Sequence, residues 1–169
     1  MYPIEVDFIK DFFGKGGKME LEAYMESAIA QAKLAYALKE VPIGCVIVRG
    51  DKIIGVGYNE RNTKKNALCH AEISAINQAC EVVGDWRLED CILFVTIEPC
   101  PMCAGAILQA RIPKVVFGAR NAKAGGVLSV LNILDNDQLN HQVEIVEGVL
   151  EAQCSALMRD FFRDLRQNK

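Results

Sequence analysis

Two short stretches, which have to meet in space, decide the fold and the chemistry of this chain: Cys69-His70-Ala71-Glu72 and Glu98-Pro99-Cys100-Pro101-Met102-Cys103. One imidazole and two thiols form the ligand set of a catalytic zinc site that keeps its fourth tetrahedral position open for water. His70, Cys100 and Cys103 are therefore the predicted metal ligands. Glu72 can lie beside the metal without binding it and can move protons between water and a substrate. This arrangement is typical of a hydrolytic deaminase.

The cysteine pair needs its sequence context before it indicates zinc. A lone Cys-x-x-Cys also occurs in disulfide oxidoreductases, in structural zinc knuckles and as two buried thiols. Pro101 falls where the first residue of a helix would lie, so Cys100 is expected to cap a helix whose dipole favours the thiolate. The combination of His-x-Glu with Pro-Cys-x-x-Cys is already known from zinc-dependent nucleobase deaminases. Cys69 is expected to line the pocket, because two neighbouring residues entering one tetrahedral site would strain the backbone.

Hydrophobic periodicity and turn residues predict four helices and five strands. The helices are expected at residues 20–38, 71–83, 102–110 and 151–167. The strands are expected at residues 43–48, 53–57, 91–97, 114–118 and 143–147. A turn at residues 49–52 makes the first two strands an antiparallel hairpin. More than twenty residues precede the last strand, which leaves room for a helical crossover and a parallel pair. The expected fold is α/β, a three-layer α/β/α domain with a five-stranded mixed sheet.

The composition describes one globular domain of 169 residues, with 51% hydrophobic and 24% charged residues. A net charge of −3 argues against a surface that coats nucleic acid regardless of sequence, although a local basic patch remains possible. No run of about 18 apolar residues occurs, so no membrane span is expected. Seven cysteines without a signal peptide indicate a reducing cytoplasm.

The first eighteen residues stand apart from the rest of the chain. Charged residues interrupt their apolar ones, which argues against a signal peptide. Gly14-Lys15-Gly16-Gly17 is typical of a flexible joint. Residues 1–18 are therefore interpreted as an extension that is disordered or non-native and has no assigned function, and residues 19–169 as the zinc-dependent deaminase domain.

Six stretches carry a resemblance to a known family: Val41 to Gly44, Gly57-Tyr58-Asn59, His70 to Ile73, Glu98 to Ile107, Val116 to Ala119, and Phe161-Phe162. In this order and spacing, from about Glu20 to Arg166, the chain resembles the bacterial tRNA-specific adenosine deaminases, a branch of the cytidine deaminase superfamily. The resemblance implies hydrolysis of adenosine to inosine at the wobble position of a tRNA anticodon, with an arginine tRNA expected. It also implies the cytidine-deaminase-like fold, one Zn²⁺ per subunit, and a homodimer that packs near the zinc sites.

The resemblance also implies substrate contacts that the local patterns leave open. Asn59 follows a predicted strand end, where an amide is more often a turn residue, but in the similar enzymes this position binds the base. Ala71 is a further implied substrate contact. Arg120 and Lys123 lie in the loop after a predicted strand, where they could contact phosphates.

The last helix carries the third predicted surface. Arg159, Arg163 and Arg166 recur on one helix face, which by pattern alone favours a solvated face partly paired with aspartates. Phe161 and Phe162 cannot both face one core, so one of them is expected at the surface, where it could stack on an unpaired base. The resemblance implies that this Phe-Phe end contacts the anticodon loop.

One position departs from the family pattern. Asn121 stands where these tRNA deaminases commonly carry an aspartate. Against the sugar-phosphate chain, a carboxylate would accept a hydrogen bond from a 2′-hydroxyl and would repel phosphate, and an amide would relax both effects. We expect a weaker preference for RNA over DNA, unless the amide oxygen makes the same hydrogen bond.

Two other kinds of function share parts of the signature. Guanine, cytosine, cytidine and deoxycytidylate deaminases carry the same zinc motif, so a small substrate is the alternative within this chemistry. A riboflavin-pathway deaminase is less favoured, because those enzymes carry a longer insertion between the two cysteines. A structural zinc or interaction module would need a fourth protein ligand and would leave Glu72 without a role.

Overall fold

The structure is a computed structural model that describes residues 17–167. Within that range the chain forms four helices and five strands, close to the predicted bounds. The helices are α1 (Gly17–Ala37), α2 (Ala71–Val83), α3 (Pro101–Gln109) and α4 (Glu151–Gln167). The strands are β1 (Gly44–Arg49), β2 (Lys52–Tyr58), β3 (Cys91–Ile97), β4 (Lys114–Ala119) and β5 (Glu144–Glu147).

The five strands form one mixed sheet in the order β2-β1-β3-β4-β5. β1 is antiparallel to both of its neighbours, as the predicted hairpin requires. β3 and β4 are parallel, with Phe94 opposite Val116, and β5 continues in the same direction beside β4. The prediction of a parallel last pair is therefore confirmed.

β3 separates two hydrophobic cores. All seven of its residues are buried, as expected for a central strand. Leu93 and Val95 pack into one core with residues of α2 and α3, and Ile92 and Phe94 pack into the other with residues of α1 and α4. This alternation is the two-residue period of a strand that is covered on both faces. It confirms the predicted three-layer α/β/α architecture.

The connection between β4 and β5 differs from the expectation of a helical crossover. Among the described residues, 120–143 form turns and irregular backbone but no helix. The backbone N–H groups of Val130 and Leu131 both donate to the carbonyl of Gly125, at 3.2 and 3.1 Å. The pair Gly125-Gly126 and the asparagine and aspartate residues that follow favour turns over a helix.

The first helix begins inside the segment that was assigned to an extension. α1 starts at Gly17, three residues before the predicted helix start at residue 20. Residues 1–16, with the rest of the predicted flexible joint, lie outside the described residues. In the part of the chain from 17 to 167, no helix is long and apolar enough to cross a membrane.

Candidate active site

The first half of the site lies at the N-terminus of α2. His70 is the N-cap residue, with extended backbone angles of φ −88° and ψ 154°. Its carbonyl accepts the first helical hydrogen bond from Ser74 at 3.1 Å. Glu72 follows in the first turn and is only 4% exposed. One helix start thus presents an imidazole and a buried carboxyl group together.

The second half lies at the N-terminus of α3, directly after β3. Cys100 is the N-cap residue, with φ −72° and ψ 170°, and Pro101 occupies the first helical turn as predicted. Cys103 lies in that first turn and is fully buried. Both thiols therefore lie at the positive end of a helix dipole, which stabilises thiolates.

The two helix starts meet on the same face of the sheet. The Nδ1 atom of His70 lies 3.6 Å from the Sγ atom of Cys100 and 3.6 Å from that of Cys103. Zinc bonds of about 2.0–2.1 Å to nitrogen and about 2.3 Å to sulfur, at the tetrahedral angle, separate the nitrogen and sulfur atoms by about 3.6 Å. The three predicted ligands therefore form a cluster that fits a tetrahedral metal ion.

The two thiols of this cluster are electrostatically linked. A hydrogen bond from the Cys103 thiol, assisted by His70, lowers the pKa of Cys100 to about 4 against the effect of burial. The same thiol pair, followed by burial, raises the pKa of Cys103 far above its usual range. Because a coordinating cysteine binds as thiolate, a metal ion at this cluster would displace the Cys103 proton.

Glu72 has the environment of a group that exchanges protons. Burial raises its pKa to about 7, with a smaller contribution from the Cys100 thiolate, while a backbone hydrogen bond works in the opposite direction. A carboxyl group with a pKa near the working pH can both accept and return a proton.

Asn59, the predicted base contact, is held by a buried carboxylate that the sequence analysis missed. Asn59 is 6% exposed, and its Nδ2 atom donates to Oε2 of Glu40 at 3.4 Å and to the carbonyl of Val41 at 3.3 Å. Glu40 is fully buried and also accepts hydrogen bonds from Asn62 and Thr63. The only signal in the sequence was a glutamate directly before the family stretch that begins at Val41. Both amide N–H bonds of Asn59 are thus bonded within the protein.

Cys69 and Ala71 flank His70 in the chain. Ala71 is fully buried as the first residue of α2. Cys69 is half-buried and does not belong to the His70, Cys100, Cys103 cluster, which is the one such group found among residues 17–167. Three protein ligands without a fourth favour a catalytic centre over a structural zinc site.

The three predicted RNA contacts in the loop after β4 differ in whether their side chains already have partners within the protein. Arg120 forms a two-pronged ion pair with Glu147, at 2.6 and 2.7 Å, so its charge is already partnered. The side-chain oxygen of Asn121 accepts the N–H of Ala124 at 3.1 Å and thereby closes a local turn. Lys123 is exposed.

The Phe-Phe end of α4 is divided between core and surface, as predicted. Phe161 is 6% exposed and contacts the ring of Tyr36 edge-on, with ring centroids 5.5 Å apart. Phe162 is 40% exposed and lines a surface depression of about 460 Å³ together with the three arginines of the helix. Arg163 also pairs with Asp160 at 2.6 Å, so part of the solvated, ion-paired pattern is present too.

Replacing a cluster thiol should remove the metal. We expect Cys103→Ser to lower metal affinity at least about tenfold, because a poorly acidic hydroxyl replaces a thiolate ligand. The measurement is the metal content of the purified protein by mass spectrometry. Cys69→Ser is the matched control, since Cys69 lies beside His70 but outside the cluster. Equal metal content in Cys103→Ser and wild type would contradict the assignment.

Comparisons with known proteins identify the family of this chain. The family model of the MafB19-like deaminases matches residues 19–166. A tRNA-specific adenosine deaminase of Bacillus subtilis is 47% identical over 148 residues, which are 88% of this chain and 92% of that protein. One of Streptococcus pyogenes serotype M1 is 49% identical over 146 residues, 86% of this chain and 85% of the relative.

The chain is also similar to a solved structure. It comes from biochemical and structural studies of A-to-I editing by tRNA:A34 deaminases at the wobble position of transfer RNA. It is 36% identical, has a TM-score of 0.77 and covers 80% of this chain and 98% of its own. The chain therefore belongs to the MafB19-like deaminase family, together with bacterial proteins named tRNA-specific adenosine deaminase.

Proposed function

We propose that this protein hydrolyses adenosine to inosine at the wobble position of a tRNA anticodon, that of an arginine tRNA. The observation that carries the proposal is the buried Glu72 carboxyl group beside a three-ligand cluster that fits zinc. The names of the relatives and of the solved structure support the choice of tRNA adenosine as substrate. The expected cofactor is one Zn²⁺ per subunit.

His70, Cys100 and Cys103 would hold the zinc ion, which as a Lewis acid would make water nucleophilic near neutral pH. Glu72 accepts a proton from the water that attacks C6 of the adenine. Its carboxyl group then protonates the ring nitrogen next to C6 and afterwards assists the loss of ammonia. Ala71 and the amide oxygen of Asn59 contact and orient the base, since the Nδ2 atom of Asn59 is already bonded to Glu40 and Val41.

Glu72→Ala tests the catalytic assignment. We expect the deamination rate to fall about 10²- to 10⁴-fold, because the proton acceptor and donor is lost, while the zinc content is unchanged. Single-turnover inosine formation and metal analysis are the two measurements. Glu81→Ala is the matched control, an exposed glutamate on the same helix. A folded, zinc-loaded Glu72→Ala protein that reacts at the wild-type rate would contradict the mechanism.

A substrate panel for the wild-type protein separates tRNA from the small-molecule alternative. An anticodon stem-loop, guanine, cytosine, cytidine and deoxycytidylate are incubated in parallel, and ammonia release is measured. We expect release from the stem-loop. Release from guanine with none from the stem-loop would replace the proposed substrate by a free base.

The exposed aromatic of α4 is proposed to stack on an unpaired base of the anticodon loop. Phe162→Ala should raise KM for the stem-loop about tenfold, since stacking on one base is worth about 1–3 kcal/mol. Leu165→Ala is the control, because Leu165 is similarly exposed on the same helix, at 44% against 40%. A KM in Phe162→Ala equal to that of the control would argue against stacking.

Asn121 is proposed to set the preference between RNA and DNA. An aspartate accepts the same hydrogen bond from Ala124, so Asn121→Asp keeps the turn and exchanges only an NH₂ group for a charged oxygen. We expect this variant to have a larger RNA-to-DNA rate ratio on matched hairpins, by about tenfold for one polar contact. An RNA-to-DNA rate ratio in Asn121→Asp that equals or falls below that of wild type would contradict this role of Asn121.

The remaining proposals concern assembly and compartment. The helix α3 is apolar on most faces, carries Cys103 and begins after its N-cap residue Cys100, which supports a homodimer that packs near the zinc sites. A monomer mass in sedimentation at micromolar protein would contradict the dimer.

All seven cysteines are free thiols, which supports a reducing, cytoplasmic setting.

A further inference from the structure

We propose that Glu98 is a positioning residue that fastens the loop of residues 121–129 to the metal motif and so holds the RNA-contacting side chains in place. The proposal rests on the proposed function, since it assigns the loop a role in binding tRNA. Glu98 does not contact the reacting atoms. It acts through the loop, which carries Asn121 and Lys123.

The carboxylate of Glu98 is buried, and within residues 17–167 its hydrogen-bond donors all belong to this one loop. Its side chain is 2% exposed. Oε1 accepts the backbone N–H groups of Val127, Leu128 and Ser129, at 3.2, 2.7 and 2.9 Å. Oε2 accepts the N–H of Asn121 at 2.9 Å and the hydroxyl of Ser129. Both ends of the loop are thus bonded to one carboxylate.

The five hydrogen bonds from this loop compensate for the burial of the Glu98 side chain. A buried charge is costly unless hydrogen bonds compensate for it. The loop therefore stabilises the buried carboxylate of Glu98, and the carboxylate in turn stabilises this conformation of the loop.

The loop also packs directly against the peptide of a metal ligand. The N–H of Gly126 donates to the carbonyl of Pro99 at 2.8 Å. A Cβ atom added at Gly126 would lie 2.8–2.9 Å from atoms of Cys100 and Pro101, and one added at Gly125 would overlap the carboxylate of Glu98. Only glycines allow this approach of the two backbones. Residues 125–127 are buried accordingly, whereas Lys123 remains exposed.

A glutamine at position 98 distinguishes the roles of the two carboxylate oxygen atoms, because it keeps one oxygen and replaces the other by an NH₂ group. In Glu98→Gln the remaining oxygen can satisfy the three N–H groups now bound by Oε1. The new NH₂ group then faces the backbone N–H of Asn121, and this hydrogen bond is lost because both groups are donors. The Ser129 hydroxyl can rotate and accept a hydrogen bond from the NH₂ group. The substitution should therefore release the loop at its Asn121 end and leave the metal ligands in place.

The experiment compares Glu98→Gln and Gly125→Ala with wild type in three measurements: steady-state deamination of an anticodon stem-loop, metal content, and hydrogen exchange of the 121–129 segment. Gly125→Ala displaces the loop from the other side and keeps the carboxylate. Glu89→Gln and Gly17→Ala are the controls, since Glu89 is exposed and an added Cβ at Gly17 meets open space.

We expect both variants to raise KM about tenfold and to change kcat less than about threefold, because a contact equal in ground and transition state is lost. Their metal content should equal that of wild type, and exchange should accelerate in 121–129 but not in β4. Unchanged KM and exchange would overturn the proposal. Loss of metal, or a fall in kcat at constant KM, would also overturn it, because Glu98 would then serve the metal ligands.

Failure of the proposed function gives a different result. If wild-type protein does not deaminate the stem-loop, the tRNA assignment fails, and hydrogen exchange in the two variants still decides whether Glu98 holds the loop. If Glu98→Gln does not fold, Gly125→Ala decides by the same criteria.

Discussion

The rest of the structure depends on bringing two helix N-termini to one point. The Nδ1 atom of His70, at the start of α2, lies 3.6 Å from both thiols at the start of α3. Such a meeting requires both helices on the same face of the sheet, and the parallel pair of β3 and β4 leads the chain back across that face through α3. The helix dipoles then favour the thiolates that a metal ion needs.

Two buried carboxylates, Glu40 and Glu98, hold loops near this centre. Glu40 binds Asn59, Asn62 and Thr63, and Glu98 binds the loop of residues 121–129. Each takes its hydrogen bonds from a segment that has little regular structure of its own. A buried charge that is satisfied only in one loop conformation disfavours the others, because any other conformation would leave it uncompensated. The two carboxylates therefore order the loops that are proposed to contact the substrate.

The parts that the sequence predicted well are those governed by short-range rules. The apolar run of β3, Pro101 after Cys100 and the spacing of His70 to Glu72 each indicate structure within a few residues. The connection before β5 contains no helix in the structure, although its length leaves room for a helical crossover, because Gly125-Gly126 and a long-range hydrogen-bond acceptor favour another backbone path. Three N–H groups of that segment are bound by Glu98, about thirty residues earlier in the chain.

The sequence by itself predicted the ligand types and a proton-exchanging role for Glu72, and it determined the order of helices and strands, because motif spacing and hydrophobic period are local properties. Only the tertiary structure decided which polar groups are already partnered. It paired Arg120 with Glu147, buried Phe161 and exposed Phe162, and gave the Asn121 oxygen to Ala124. These outcomes depend on contacts between segments far apart in the chain, for which a single sequence contains no periodic signal.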